Sequence, residues 1–114
     1  MPCVIWFNHP RALEYLVTNG EVYTLRARLR RCPCGRVLIM SRLGFKARGS
    51  IRLIGVIDLT DPTQVGLLVK YVGGSGFNSL GEWLEAFRRL NGPAARAYLY
   101  HVVLAQAPGI TRGS

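Results

Sequence analysis

Apolar and polar residues alternate over residues 22–30, and this is the clearest pattern in the chain. One parity holds the side chains expected on a buried face, Tyr23, Leu25, Ala27 and Leu29. The other parity holds Thr24, Arg26, Arg28 and Arg30. A period of two is typical of a strand with one buried and one open face. The pattern therefore predicts a half-buried strand with a ladder of arginines on its open face.

A strand and a helix are predicted ahead of this strand. Residues 4–7 form a short apolar run, which suits a buried strand. Asn8 is predicted to cap the helix that follows, with Pro10 in the first turn, where a missing N–H costs nothing. Asn19 and Gly20 are typical of the end of such a helix. Apolar residues at helical spacing predict its buried face, Leu13, Leu16 and Val17.

Two further strands are predicted in the middle of the chain. Residues 36–40 predict one strand, and a polar, glycine-containing basic loop follows at residues 41–50. Residues 51–59 predict a long strand that Asp61 and Pro62 break. One face of this strand is expected to hold Ile51, Leu53, Gly55, Ile57 and Leu59. Residues 65–72 fit a short helix or a strand, and the glycine-rich residues 73–76 predict a flexible connector.

A helix and a closing strand are predicted in the last third of the chain. Ser79 and Glu82 form a capping-box pattern, and Gly92 with Pro93 marks the end of the helix. The apolar positions between them follow helical spacing, Leu80, Trp83, Leu84, Phe87 and Leu90. We expect Trp83 and Phe87 in the core rather than on a stacking surface. Residues 97–104 predict the final strand, with one face made of Tyr98, Tyr100, Val102 and Leu104.

This order of elements predicts a compact α+β domain with a curled sheet. The length of 114 residues suits one domain, which we assign to residues 1–104, with a flexible tail at residues 105–114. No apolar run approaches the roughly 18 residues of a membrane span, and the N-terminus lacks the pattern of a signal peptide. A cytoplasmic protein that does not enter the membrane is therefore expected.

The charge of the chain is concentrated in one segment. Residues 22–57 carry nine basic residues and no Asp or Glu, while the remainder carries six of each sign. Thirteen of the fifteen basic residues are Arg, whose planar fork of donors grips phosphate oxygens in pairs. A thermophilic surface rich in ion pairs would need more acids than the six present. The segment therefore favours a polyanionic partner over a merely solvated basic surface.

The three cysteines allow more than one interpretation. Cys32 and Cys34 form a close pair, and Cys3 stands alone. A zinc site needs four ligands, and a second ligand pair is missing because His9 and His101 are distant in sequence, so no metal is expected. A bridge from Cys3 to Cys32 or Cys34 would suit a hyperthermophile. Reduced thiols in a turn are the preferred interpretation.

Two segments resemble those of a known family. Residues 19–26, with the sequence NGEVYTLR, resemble the SGxKTxTxR segment that opens the second strand of ASCH domains in the PUA-like superfamily. Residues 76–84, GFNSLGEWL, are similar to the helix start GFxSxEEW of that family, and a closing strand follows in both. The resemblance spans roughly residues 4–104. It implies a small curled β-barrel of five to six strands, with two to three helices at its openings and a cleft between barrel and helices.

The chain departs from the enzymatic branch of that family, whose members remove an acyl group from acylated cytidine with a Lys, a Thr three residues later and a distant Glu. The resemblance puts Glu21 at the Lys position and Thr24 at the Thr position, and Asp58 could supply the acid. A carboxylate cannot replace that Lys because its charge has the opposite sign. We therefore expect no such enzyme. If the chain is a hydrolase of a modified nucleoside, its candidate residues are Thr24, Glu21 and Asp58.

The resemblance and the charge together favour an RNA-binding module, because PUA-like domains often bind RNA. The expected phosphate contacts are Arg26, Arg28, Arg30, Arg42, Lys46, Arg48 and Arg52. Phe45 is the favoured residue for stacking on a base, ahead of Tyr23, which its parity with Leu25 assigns to the core. A basic module that binds an acidic protein or another polyanion is the third interpretation. No cofactor is expected, and the sequence sets neither the RNA target nor the oligomeric state.

Overall fold

The computed structural model describes residues 3–42 and 44–105. Its elements in chain order are β1 (Cys3–Trp6), α1 (Pro10–Asn19), β2 (Glu21–Arg26), β3 (Arg36–Met40), β4 (Lys46–Asp58), α2 (Pro62–Gly66), a 3-10 helix (Leu67–Gly74), α3 (Leu80–Asn91) and β5 (Arg96–Leu104). The predicted order of elements is confirmed, and the segment left open at residues 65–72 is helical. The predicted tail lies, from residue 106 onward, outside the described residues.

The five strands form one mixed sheet in the order β1-β3-β4-β5-β2. Only β1 and β3 run parallel, and every other neighbouring pair is antiparallel. The predicted α+β class is therefore confirmed. In the part of the chain that the structure describes, β1 and β2 are the edge strands and share no backbone ladder, so the sheet is not closed. The Arg26 side chain nevertheless reaches from β2 to β1, where its Nη1 donates to the Trp6 carbonyl at 2.6 Å.

The core lies between the sheet and the helices, and α1 packs against β2 and β5. Its fully buried residues include Ile5, Leu16, Ile39 and Val102. Trp83 and Phe87 are each 3% exposed, so their predicted core positions are confirmed. Two residues predicted on the buried faces of the helices are instead exposed, Val17 at 49% and Leu90 at 58%. No helix within residues 3–42 and 44–105 has both the length and the apolar character needed to cross a membrane.

The ends of α1 follow from its proline and its glycine. Pro10 occupies the first helical position, where its missing N–H leaves no bond unmade. This places the cap at His9, whose Nδ1 accepts from the Arg11 N–H at 3.2 Å, and the predicted cap at Asn8 is wrong by one residue. Gly20 ends the helix with a φ of 80°, in the left-handed region that favours glycine.

Both ends of α3 match the prediction. The Ser79 hydroxyl accepts from the Glu82 N–H at 3.1 Å, and Gly92 ends the helix with a φ of 71°. These capping signals act within one segment, so they do not depend on contacts with the rest of the chain.

The predicted arginine ladder on the strand of residues 22–30 is wrong. β2 ends at Arg26, and Arg28 and Arg30 lie in the loop that follows. Neither face of β2 is open, since Val22 and Thr24 are buried on one side and Leu25 on the other. The loop is held to β5 instead, because the Arg30 N–H donates to the Tyr100 hydroxyl at 2.5 Å.

The predicted basic loop at residues 41–50 is shorter than expected, because β4 already begins at Lys46.

A β-bulge exchanges which side chains of β4 point to each side of the sheet. Leu53 pairs with Tyr100 and Gly55 with the adjacent Leu99, which leaves Ile54 as the extra residue. One extra residue exchanges the two faces of a strand. The prediction of one continuous face from Ile51 to Gly55 and beyond is therefore wrong, and Leu53 is 41% exposed.

The glycine-rich segment at residues 73–76 is packed, so its prediction as a flexible connector is wrong. Ser75 is 1% exposed, and its hydroxyl donates to the Val72 carbonyl and accepts from the Phe77 N–H. A Cβ on Gly74 would lie 2.7 Å from the Tyr23 ring, and one on Gly76 would lie 2.6 Å from a backbone carbonyl of α1. Glycine is needed here for close approach.

Cys3 and Cys32 form a disulfide, with their Cα atoms 5.7 Å apart. The preferred interpretation of reduced thiols is therefore wrong for this pair, and one of the two bridges considered is the one found. Cys34 is a free, exposed thiol. The bridge joins the start of β1 to the loop between β2 and β3, which also carries Arg28 and Arg30.

Candidate functional site

A cleft of about 610 Å³ opens where the last residues of β1 and β2 meet α1 and α3. Aromatic side chains form much of its wall, Phe7, Phe77, Trp83 and Phe87. Its polar lining includes Asn8, His9 and Thr24. Four arginines complete it, Arg26, Arg28, Arg30 and Arg42. Among the described residues, no Asp or Glu lines this cleft.

Arg26 is the most constrained of the four arginines. Its Nε donates to the Thr24 hydroxyl at 3.2 Å, and its Nη1 donates to the Trp6 carbonyl at 2.6 Å. The guanidinium carbon lies 4.8 Å from the centroid of the Phe7 ring, which adds a cation–π contact. These three contacts hold the side chain along the cleft without neutralising its charge. No carboxylate within residues 3–42 and 44–105 forms an ion pair with it.

The surroundings of Arg26 disfavour its charged form. Burial lowers the pKa of its guanidinium to about 10, and the nearby charge of Arg30 contributes in the same direction. A pKa of about 10 still leaves the group protonated at neutral pH. The cleft therefore contains a poorly hydrated cation beside a second cation, and an anion would relieve both effects.

His9 adds a neutral donor to the lining. Burial is the main effect that lowers the pKa of its imidazole, and the positive charges of Arg11 and Arg89 lower it further. The ring is therefore neutral at pH 7. Its Nδ1 accepts from the Arg11 N–H, which leaves the ring proton on Nε2. The ring is held edge-on against Phe77, with centroids 4.8 Å apart.

The rim of the cleft is apolar and open to solvent. Trp6 is 41% exposed, Leu29 44% and Leu90 58%, and all three line the cleft. Sequence reasoning missed Trp6 because it stands in an apolar run that suited a wholly buried strand. The period of two could have found it, since its neighbours Ile5 and Phe7 are buried and the intervening residue must face the other way.

The predicted phosphate contacts fall into two groups. Arg26, Arg28, Arg30 and Arg42 line the cleft, whereas Lys46, Arg48 and Arg52 lie at alternate positions of β4 and are exposed. The sequence pattern predicted a row of exposed basic side chains on β2, but such a row is found on β4. The structure brings the first group together in one site and leaves the second on the outer surface of the sheet.

The two predicted stacking residues are both engaged within the fold. Phe45 is partly buried and packs against the core. Tyr23 stacks on His101 at 4.6 Å and contacts Tyr71 at 4.9 Å, in agreement with its preferred assignment to the core. Trp6 is the most exposed aromatic residue among those that line the cleft.

The three candidate catalytic residues do not converge. Thr24 lines the cleft, but Glu21 and Asp58 do not. Their partners on β5 are Val103 for Glu21, Tyr100 for Thr24 and Arg96 for Asp58. At about 3.3 Å per residue, the outer two positions are roughly 23 Å apart along that strand.

Glu21 and Asp58 are also both occupied by other contacts. Glu21 is exposed and meets His101 Nε2 at 2.8 Å. The Asp58 carboxylate accepts from the Thr60 hydroxyl and N–H, and these bonds lower its pKa. The Thr24 hydroxyl in turn accepts from Arg26.

No protein-family model, curated protein or solved structure matches this chain. The resemblance to ASCH domains therefore remains an expectation, and the function follows from the site itself. In the described part of the chain, no group of three or more His, Cys, Asp or Glu side chains could hold a metal ion.

Proposed function

We propose that this protein binds RNA, with the cleft holding part of the strand. The observation that carries the proposal is the composition of the lining, which contains four arginines and, among the described residues, no acid. A concave surface of one sign of charge focuses the electrostatic field and attracts anions. Aromatic walls beside those charges suit an unstacked base, which is how proteins usually read single-stranded RNA.

The outer face of β4 supports the same proposal. Lys46, Arg48 and Arg52 alternate along the strand and are exposed, so they add to the attraction for a phosphate backbone. Lys46 follows Arg42 of the cleft closely in sequence, and the Ser41 N–H donates to the Phe45 carbonyl at 3.1 Å.

We further propose that the sheet is of the PUA-like kind, curled into an incomplete barrel. The bond from the Arg26 side chain to the Trp6 carbonyl supports this, because it joins the two edge strands. The cleft at this junction, between sheet and helices, agrees with the position that the ASCH resemblance implies.

The test is fluorescence anisotropy with a short single-stranded RNA, the DNA of the same sequence and a free nucleoside. The variant R28A/R30A should weaken RNA binding for every sequence. It should also flatten the log–log salt dependence by about 1.4, because each phosphate contact to a single strand contributes about 0.7. R88A/R96A removes the same charge from exposed positions outside the cleft lining and is the matched control.

Equal affinity and slope in R28A/R30A and wild type would refute the assignment of the cleft. An acidic protein that binds this surface without competition from RNA would replace the proposal with a protein-binding module. Salt sensitivity alone does not distinguish these outcomes, since both partners are polyanions.

A further inference from the structure

Arg26 is a cation that no carboxylate of residues 3–42 and 44–105 neutralises. Its charged group is held by a hydroxyl, a carbonyl and an aromatic ring, which fix its position but carry no negative charge. Arg26 is partly buried, and a cation that is withdrawn from water is normally paired with a carboxylate or bound to an anion. Here the four arginines of the cleft meet no acid in the described part of the lining. An anion from outside the chain would supply the partner that these residues lack.

The arrangement suits a phosphate group better than a single carboxylate. An arginine fork donates pairs of hydrogen bonds to the oxygens of a tetrahedral phosphate, and several arginines match its higher charge. Arg30 is close enough to lower the pKa of Arg26, so the two cations act on the same small volume. His9, neutral with its proton on Nε2, offers a further donor that brings no extra charge.

The apolar rim defines the rest of the ligand. Trp6 is exposed and lines the same cleft, and its own backbone carbonyl accepts the bond from Arg26. A flat ring attached to a phosphate through a sugar would satisfy both features at once, since bases stack readily on aromatic side chains. The volume of about 610 Å³ is within the range of pockets for small ligands, about 300–1,000 Å³.

We propose that the cleft binds one nucleoside monophosphate unit, with its phosphate at Arg26 and its base against Trp6. The unit is either a free mononucleotide or the phosphorylated end of an RNA strand, because the chemistry of both is the same. This inference rests on the proposed function and narrows it, since it makes the phosphate group and not the nucleoside the determinant of binding in the cleft.

The first experiment measures binding of adenosine, AMP and ribose 5-phosphate to the full chain by isothermal titration calorimetry. AMP should bind at least about tenfold more tightly than adenosine, because adenosine lacks the charged group that Arg26 receives. R26M should remove that advantage, whereas R88M, which removes an exposed arginine outside the cleft lining, should keep it. Equal binding of AMP and adenosine by wild type would overturn the inference.

The second experiment tests the position of the base through tryptophan fluorescence. The chain has two tryptophans, Trp6 at 41% exposure and Trp83 at 3%, so acrylamide should quench mainly Trp6. AMP should protect this fluorescence, and W6A should lower AMP affinity to that of ribose 5-phosphate without changing ribose 5-phosphate binding. Undiminished quenching in saturating AMP would refute the contact with Trp6.

The third experiment separates this inference from the proposed function. One RNA sequence is compared with a 5′ phosphate, a 3′ phosphate or neither. Tighter binding of one phosphorylated form, lost in R26M, supports recognition of a strand end. Equal binding of all three forms together with no AMP binding would overturn the inference and leave RNA binding standing. Binding of AMP without binding of any RNA would overturn the proposed function while the mononucleotide site stands.

Discussion

Replacing Arg26 with methionine should make the protein more stable while it loses its ligand. The pKa of the Arg26 guanidinium is lowered to about 10, chiefly because burial removes water from the charged form. One pKa unit corresponds to about 1.36 kcal/mol, so the charged group costs about 3 kcal/mol in the folded protein at neutral pH. Methionine has a similarly long, unbranched and flexible stem, and it removes this cost.

The substitution also removes two hydrogen bonds. The Trp6 carbonyl loses its bond at 2.6 Å from Nη1, and the Thr24 hydroxyl loses its bond at 3.2 Å from Nε. A buried acceptor left without a partner costs about 1–3 kcal/mol. The Thr24 hydroxyl can rotate to another partner, and water can reach the exposed Trp6 carbonyl, so the loss lies near the lower end of this range. The expected net result is a gain of up to about 2 kcal/mol in the free energy of unfolding.

The assay is urea unfolding at pH 7 and again between pH 10 and 12, with R88M as the control. The advantage of R26M should shrink as the pH rises through 10, because the folded wild type then loses the Arg26 proton while the unfolded chain keeps it. R88M should change stability little at any pH, since Arg88 is exposed. A loss of more than about 2 kcal/mol in R26M at pH 7 would refute the reasoning, because it would mean that the cation is compensated within the fold.

Three further predictions concern the fold. Trp83→Ala should lower the free energy of unfolding by about 3–5 kcal/mol in urea titrations, because the side chain is almost wholly buried; a variant as stable as wild type would contradict that burial. His9→Asn keeps a capping acceptor but cannot titrate. Wild type should therefore lose more stability than this variant between pH 7 and 5, because the lowered pKa of His9 means that the unfolded chain binds the proton more strongly; parallel pH profiles would argue against this. Breaking the disulfide in C3S/C32S should cost about 3–4 kcal/mol, because the bridge closes a loop of 29 residues, whereas C34S should have no effect; a comparable loss in C34S would place the bridge at a pair that includes Cys34.

The parts of the fold that the sequence predicted well are those determined by neighbouring residues. The helix α3 needs only Ser79, Gly92 and apolar residues at helical spacing, and all of these act within one segment. The facing of β4 was not predictable in this way, because the bulge at Ile54 depends on how that strand pairs with β5. The facing of β2 failed for a similar reason, since the 3-10 helix that contacts its second face comes from much later in the chain.

The candidate site was predicted in part. The acid-free segment pointed to Arg26 and to the loop arginines beyond it, and four of the predicted cations do line one cleft. Sequence could not separate them from the cations of β4, because a shared charge pattern does not reveal which strand curls toward the helices. It also could not show that Arg26 lacks an acid, since a partner can come from any part of the chain. The choice between Cys32 and Cys34 as partner of Cys3 likewise depended on the path of the loop.

The position of β5 in the sheet has a consequence for biosynthesis. β5 lies between β4 and β2, yet it emerges from the ribosome after all the other strands. Before β5 is synthesised, β2 has no strand to pair with, because its partner residues, such as Val103 opposite Glu21, lie on β5. At that stage β4 also has one unpaired edge along most of its length. The nascent chain can therefore fold its helices and the β1, β3 and β4 ladder early, but it completes the cleft last. During that interval the open edges of β2 and β4 are the surfaces on which a chaperone or a second nascent chain would act.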